Sequence, residues 1–161
     1  MISNKLQEAM NDQIQAELYS AYLYLAMSTY CEAQNLKGFA HWLKAQHDEE
    51  TGHAGKLMEH LLDRGGKVQL KALEAPPVDF GTPVSVFEQV LAHEKHVTDR
   101  IHKLYEAAVA EKDYAAQILL QWFITEQVEE EATASAILEK LRMIPEKSGA
   151  LFYMDKELGK R

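Results

Sequence analysis

Cysteine is almost missing from the chain: Cys31 is the only one among 161 residues. One thiol cannot close an internal disulfide, and without a CxxC pair the chain can build neither a zinc ribbon nor a rubredoxin-like centre. A reducing cytoplasm is the expected compartment. Four prolines and eight glycines are too few for collagen-like or low-complexity architectures. Positive charge is also in deficit, with 17 Lys and Arg against 25 Asp and Glu and a formal charge of −8. That balance repels phosphate backbones, which disfavours nucleic acid as a partner, and it attracts cations. Long apolar runs are absent. The longest, AYLYLAM, is too short to span a bilayer. The opening MISNKLQEAMNDQ carries acids and amides where an export signal needs basic and then apolar residues. Membrane insertion and export are therefore not expected.

What remains is an ordinary globular composition, 47% hydrophobic and 26% charged, of a length that suits one domain over 1–161. Four long segments have helical periodicity. From Lys5 to Ala33 no Gly or Pro interrupts, and Leu6, Met10, Ile14, Ala21, Tyr24, Leu25 and Ser28 share a face, with Asn4 as the expected cap. A second stripe, Phe39, Leu43, Gln46, Glu50, His53, Leu57 and Leu61, runs from Lys37 or Gly38 to about Arg64 and stops at Gly65-Gly66. Residues 65–83 contain GG, PP and GTP and no period. This stretch exceeds the roughly 2–8 residues usual between neighbouring bundle helices, so it predicts a crossover along the bundle. Thr82-Pro83 starts a third helix to about Lys112, carrying Phe87, Val90, Leu91, Glu94, Val97, Ile101, Leu104 and Ala108. A fourth runs from Asp113 to about Ile144, with Leu119, Phe123, Gln127, Glu130, Ala134, Ile137, Leu138 and Leu141, and Pro145 closes it. The tail SGALFYMDKELGKR predicts a short fifth helix presenting Leu151, Phe152 and Leu158. The fold class is all-α, a four-helix bundle with one long crossover connection.

Each stripe is interrupted near its middle by polar residues: Glu17; Glu50 with His53; Glu94; Gln127 with Glu130. Apolar periodicity resumes one turn later at Leu57 and Val97. Burying an unpaired carboxylate costs several kcal/mol, so four would overwhelm a net stability of about 5–15 kcal/mol. The acids need protons, basic partners or metal cations. Basic residues cluster at helix ends and on outer positions, so cations are the economical answer, and oxygen donors with one imidazole suit iron or manganese. Glu50 and His53 are three apart and point the same way, which is the ExxH spacing of carboxylate-bridged di-metal bundles. A lone ExxH is weak; one interruption in every helix, in the order Glu, ExxH, Glu, QxxE, is specific. In the acidic run EQVEEE, about 100° per residue aims Gln127 and Glu130 inward, sets Glu126 and Glu129 beside that direction, and turns Glu131 to solvent.

The segments NDQIQAELYSAYLYLAM, HDEETGHAGKLMEHLLDRGG, LAHEKHVTDRI and LQWFITEQVEEE resemble the bacterial non-haem ferritins, in order and in helix position, over essentially the whole chain. The resemblance implies a ferritin-like four-helix bundle that stores iron and has ferroxidase activity. Fe(II) would be oxidised by O2 or H2O2 at a di-iron centre within one subunit and kept as a ferric mineral inside a 24-subunit homo-oligomeric shell. It implies that Glu17, Glu50 and His53 hold one iron, that Glu50 bridges, and that Glu94 and Glu130 hold the second with Gln127 beside it. Glu49, Glu126 and Glu129, sharing Glu130, would form a third iron site. Haem is not implied: bacterioferritins have a second ExxH and a haem-ligating Met, where this chain has Gln127, Glu130 and Gly52. Rubrerythrins add a cysteine-ligated module that one cysteine cannot build, and mini-ferritins use a different ligand set.

Tyr24 lies on the Glu17 face and either hydrogen-bonds a ligand or gives up an electron, or only packs; both the functional and the packing reading stand. Trp122 reads as core or lining. His41, His47, His93, His96 and His102 lie off the stripes, as solvated residues or subunit contacts, and His60 reads as a helix-end residue. Two rivals remain: a di-iron peroxidase or oxygenase with an apolar substrate pocket, and a structural bundle whose inward acids are errors of helical phase.

Overall fold

The computed structural model describes residues 1–145 and 148–161. Among the described residues five helices form: α1 (Asn4–Ala33), α2 (Lys37–Asp63), α3 (Pro83–Ala110), α4 (Tyr114–Arg142) and α5 (Ala150–Leu158). Their ends follow local chemistry. Ser3, not Asn4, caps α1, its Oγ accepting from Leu6 N at 3.1 Å. Thr82 caps α3 ahead of Pro83, and Asp113 caps α4 through Ala116 N at 3.0 Å. Gly65 takes φ +71° just past α2, a conformation that glycine adopts without a Cβ penalty.

Helices α1 and α2 pack as one pair and α3 and α4 as another, each joined by a short turn. The crossover lies along α1 from end to end. Asn11 donates to Lys67 O at 2.9 Å and accepts from Gln69 N at 2.7 Å, Gln15 donates to Ala72 O, and Tyr30 donates to Gly81 O at 2.9 Å. Phe80 is buried against Tyr30, ring centroids 5.5 Å apart. The connection therefore spans the bundle and starts α3 parallel to α2, as its length predicts. At the opposite end Arg64 binds Asp113 through Nη1 and Nη2, each at 2.8 Å, fastening the end of α2 to the start of α4.

The core is divided. One apolar half contains Tyr24, Met27, Phe39, Leu43 and Phe87; the other contains Leu6, Ile14, Leu57, Ile101 and Leu120. Between them lies a buried polar layer of Gln13, Glu17, Gln46, Glu50, His53, Glu94, Gln127 and Glu130. The expected stripes hold with small rotations: Leu120 rather than Leu119 and Leu23 rather than Leu25 are buried, and Leu91 is half-buried. ILLQWF and YLYLAM offer leucines at adjacent positions, so either phase fits the pattern and packing chooses. On α5, Leu158 is buried and Leu151 half-buried, whereas Phe152 faces solvent at 78% exposure, contrary to expectation.

Candidate metal centre

The polar layer draws one to three residues from each long helix. In the middle of α1, Glu17 is buried, with Glu50 and His53 of α2 beside it. One ligand atom from each of these three lies within 4.8 Å of the others. His53 Nδ1 is 3.2 Å from Glu50 Oε2, the pairing that i, i+3 spacing produces on a helix. His53 also belongs to a second group with Glu126 and Glu130 of α4, within the same 4.8 Å limit. Trp122 and Phe123 hold its ring edge-on at 5.4 and 5.8 Å between centroids. Trp122 is 37% exposed with Lys56 Nζ 4.5 Å from its ring centroid, so it lines the site rather than filling the core.

Glu94 lies outside both groups, and both its oxygens accept hydrogen bonds. Tyr24 Oη donates to Oε1, and Gln127 Nε2 donates to Oε2 at 3.2 Å. Between the two readings of Tyr24, the hydroxyl is hydrogen-bonded as well as buried. Glu126 is half-buried, while Glu129 and Glu49 are exposed, and Glu49 pairs with Arg161 at 2.5 Å. Glu131 does not turn away: it is half-buried and accepts from Thr98 Oγ1 at 2.6 Å. His93 is likewise not simply solvated. It lies 2.7 Å from Ser20 Oγ and edge-on to Tyr24, and burial, helped by His96, lowers its pKa to about 4. His47 is half-buried, with Nδ1 2.8 Å from Ala21 O.

Two amides support the acids. Gln13 Nε2 donates to Glu17 Oε1 at 2.8 Å while its Oε1 accepts from Arg100 Nε at 3.3 Å, so a guanidinium polarises a bond that ends on a buried carboxylate. Gln46 Nε2 donates to Glu130 Oε2 at 2.9 Å. Gln46 lies on the expected stripe but its partner was not foreseeable. Gln13 was missed, since a glutamine four residues before Glu17 carries no signal until the helix phase is known.

The electrostatics follow from crowding acids into a layer without lysine or arginine. Burial raises Glu17 to about 8, with the charge of Glu50 adding to it. Burial and then Glu94 raise Glu130 to about 7 and push Glu50 well above the ordinary carboxylate range. Glu94 is raised by burial against the opposing bonds from Tyr24 and Gln127. Glu17 Oε2, Glu50 Oε1 and Gln46 Oε1 are buried without a hydrogen-bond partner. An unmet buried acceptor costs about 1–3 kcal/mol, and more when charged. Hard oxygen donors with one imidazole fit a divalent iron or manganese ion, which would satisfy the unmet oxygens.

Known proteins resemble the chain in sequence and in fold. The family model for the ferritin-like domain matches residues 7–144. Bacterial non-heme ferritin of Bacteroides fragilis is 45% identical over the full length of both chains. The Staphylococcus aureus protein of that name is 40% identical, covering 100% of this chain and 97% of its own. Among solved structures, an open pore ferritin from the archaeon Archaeoglobus fulgidus superposes with a TM-score of 0.98 at 51% identity, over 100% of this chain and 99% of that one. A humanized archaeal ferritin gives 0.98 at 48%. With the family model matched over residues 7–144 and relatives 40–45% identical over the full length of this chain, the chain belongs to the ferritin family.

Proposed function

We propose that the chain, acting as a single domain over residues 1–161, is a cytoplasmic iron-storage subunit with ferroxidase activity. The observation carrying this reading is the buried convergence of Glu17, Glu50 and His53, with Glu17 Oε2 and Glu50 Oε1 left without partners. In this reading Glu17, Glu50 and His53 take the first Fe(II), and Glu50 bridges. Glu94 and Glu130 take the second, with Gln127 alongside. Glu49, Glu126 and Glu129 share Glu130 in a third position. Each Fe(II) gives up one electron. Dioxygen taking two electrons and two protons leaves as hydrogen peroxide, and hydrogen peroxide taking two further electrons and two further protons leaves as two waters. Carboxylates favour ferric over ferrous iron and tolerate both bridging and terminal modes, which suits iron that arrives ferrous and leaves ferric. Tyr24, bonded to Glu94, holds that carboxylate in place and stands next to the electrons being moved. The product collects inside a homo-oligomeric shell of 24 subunits.

The test adds Fe(II) anaerobically to metal-free protein, then air, following ultraviolet absorbance and size-exclusion mass together. Glu50→Ala and His53→Ala should slow the absorbance rise at least tenfold. Wild-type rates in both variants would sink the centre. A small soluble oligomer that turns over an organic substrate would favour an oxygenase instead.

A further inference from the structure

Arg161 already places a cation against Glu49. Its Nη2 donates to Glu49 Oε2 at 2.5 Å, its guanidinium carbon lies 4.6 Å from the centroid of the Trp42 ring, and its carbonyl oxygen is 2.8 Å from His41 Nε2. These three partners lie on α2 and bracket the residue from backbone to charged tip. The approach is prepared by α5. Asp155 Oδ1 accepts from the N–H groups of Gly38 at 2.8 Å and Phe39 at 3.0 Å, satisfying donors at the start of α2 that no helical carbonyl reaches. A Cβ on Gly38 would fall 1.6 Å from the carbonyl oxygen of Asp155, so only glycine lets the two segments meet this closely. Glu49 precedes Glu50, and its charge is felt at Glu130 and at Glu50. It is nevertheless absent from both buried ligand groups.

We propose that Arg161 is a positioning residue acting through Glu49: its guanidinium holds that carboxylate in an ion pair, and a metal ion entering the third position must displace it. The inference rests on the reading above that Glu49 belongs to the third position. Arg161 thereby sets how readily that position fills relative to the two inner ones, which it does not touch. The side chains of the pair are 27% and 46% exposed. Exposed ion pairs of this kind alter an equilibrium by about twofold to fivefold.

The test is anaerobic Zn(II) titration of the assembled, metal-free protein by calorimetry, with circular dichroism and native mass as checks that each variant is folded and assembled. Glu49→Gln should abolish the weakest class of sites. Arg161→Ala should tighten that class about twofold to fivefold without changing the inner sites, and Arg161→Lys, which keeps the charge, should return it toward wild type. In a Glu49→Gln background, Arg161→Ala should have no effect. If Arg161→Ala leaves the class unchanged or weakens it while Glu49→Gln abolishes it, the competition is overturned and the third position stands. If Glu49→Gln leaves the number of sites unaltered, the reading of Glu49 fails and the proposal falls with it.

Discussion

Glu50 has one oxygen beside His53 and another that meets no donor, while Glu17 Oε2 faces the same deficit across the α1–α2 interface. Two buried acceptors without hydrogen-bond partners are a source of instability in the metal-free protein. Glu50→Gln removes a carboxyl that burial already disfavours in its charged form and supplies N–H donors there, so the metal-free variant should be more stable by about 1–3 kcal/mol. At about 2–4 °C per kcal/mol for a chain of this size, its melting temperature should rise by several degrees. Zn(II), which binds without redox chemistry, should raise the wild-type melting temperature further and Glu50→Gln much less. Calorimetry of both proteins with and without Zn(II) checks this, and equal zinc increments would show that Glu50 holds no metal. Tyr24→Phe removes the donor to buried Glu94 and should cost about 1–3 kcal/mol with the fold retained; a stability unchanged within error would leave Tyr24 as packing alone. The positions of Glu17, Glu50, His53, Glu94, Gln127 and Glu130 were legible because an acid or amide on an apolar stripe is visible as a break in period. The bonds of Gln13 to Glu17 and of Arg161 to Glu49 were not, since each partner's direction depends on rotamers and on an approach between distant segments that periodicity does not encode.

Helix ends show how far local chemistry carries. Thr82-Pro83, Gly65 and Asp113 each do what their types predict, whereas Ser3 displaced Asn4 because a hydroxyl one residue earlier reaches Leu6 N just as the helix begins. Asp113 has a second role that no capping rule contains: it caps α4 and receives Arg64 from the end of α2. The Arg64 hydrogen bonds hold its carboxyl below the ordinary carboxylate value, with the Ala116 N–H assisting. A depressed folded-state pKa means that the unfolded chain takes up the proton first as pH falls. The contribution is therefore complete above the unfolded value near pH 4 and lost as pH drops through the folded value. Asp113→Asn should lower the melting temperature by a roughly constant amount between pH 7 and 5, and the gap from wild type should close below about pH 4. A gap that widens in acid would contradict the assignment. Asp155→Ala removes the acceptor for Gly38 and Phe39 N–H and should cost about 1–2 kcal/mol. Hydrogen exchange should quicken at those two amides while the α3–α4 amides stay protected; uniform quickening would mean that α5 supports the whole bundle.

At the scale of the whole molecule, the bundle has no interior room for a mineral, because two apolar halves and the carboxylate layer fill it. Storage therefore requires a space enclosed by several subunits, and the surface supplies a reason to assemble. A groove of about 580 Å³ between α1 and the crossover is lined by Tyr22, Leu25, Ala26, Tyr30, Pro76 and Val78. Val78 is 91% exposed there and Tyr22 44%. Apolar surface gathered in one groove is a cost in water that a second subunit seated there would remove. A charge placed in its centre should therefore separate assembly from oxidation, since the groove lies on the outer side of α1 and Glu17 faces inward. Val78→Glu should give species of low mass by native mass spectrometry. The oxidation rate of the first two Fe(II) per subunit should stay within about twofold of wild type, and iron added beyond the ligand sites should precipitate instead of remaining soluble. Continued assembly of the variant would remove this groove from the interfaces. Low-mass subunits that still kept excess iron in solution would break the link between shell and storage.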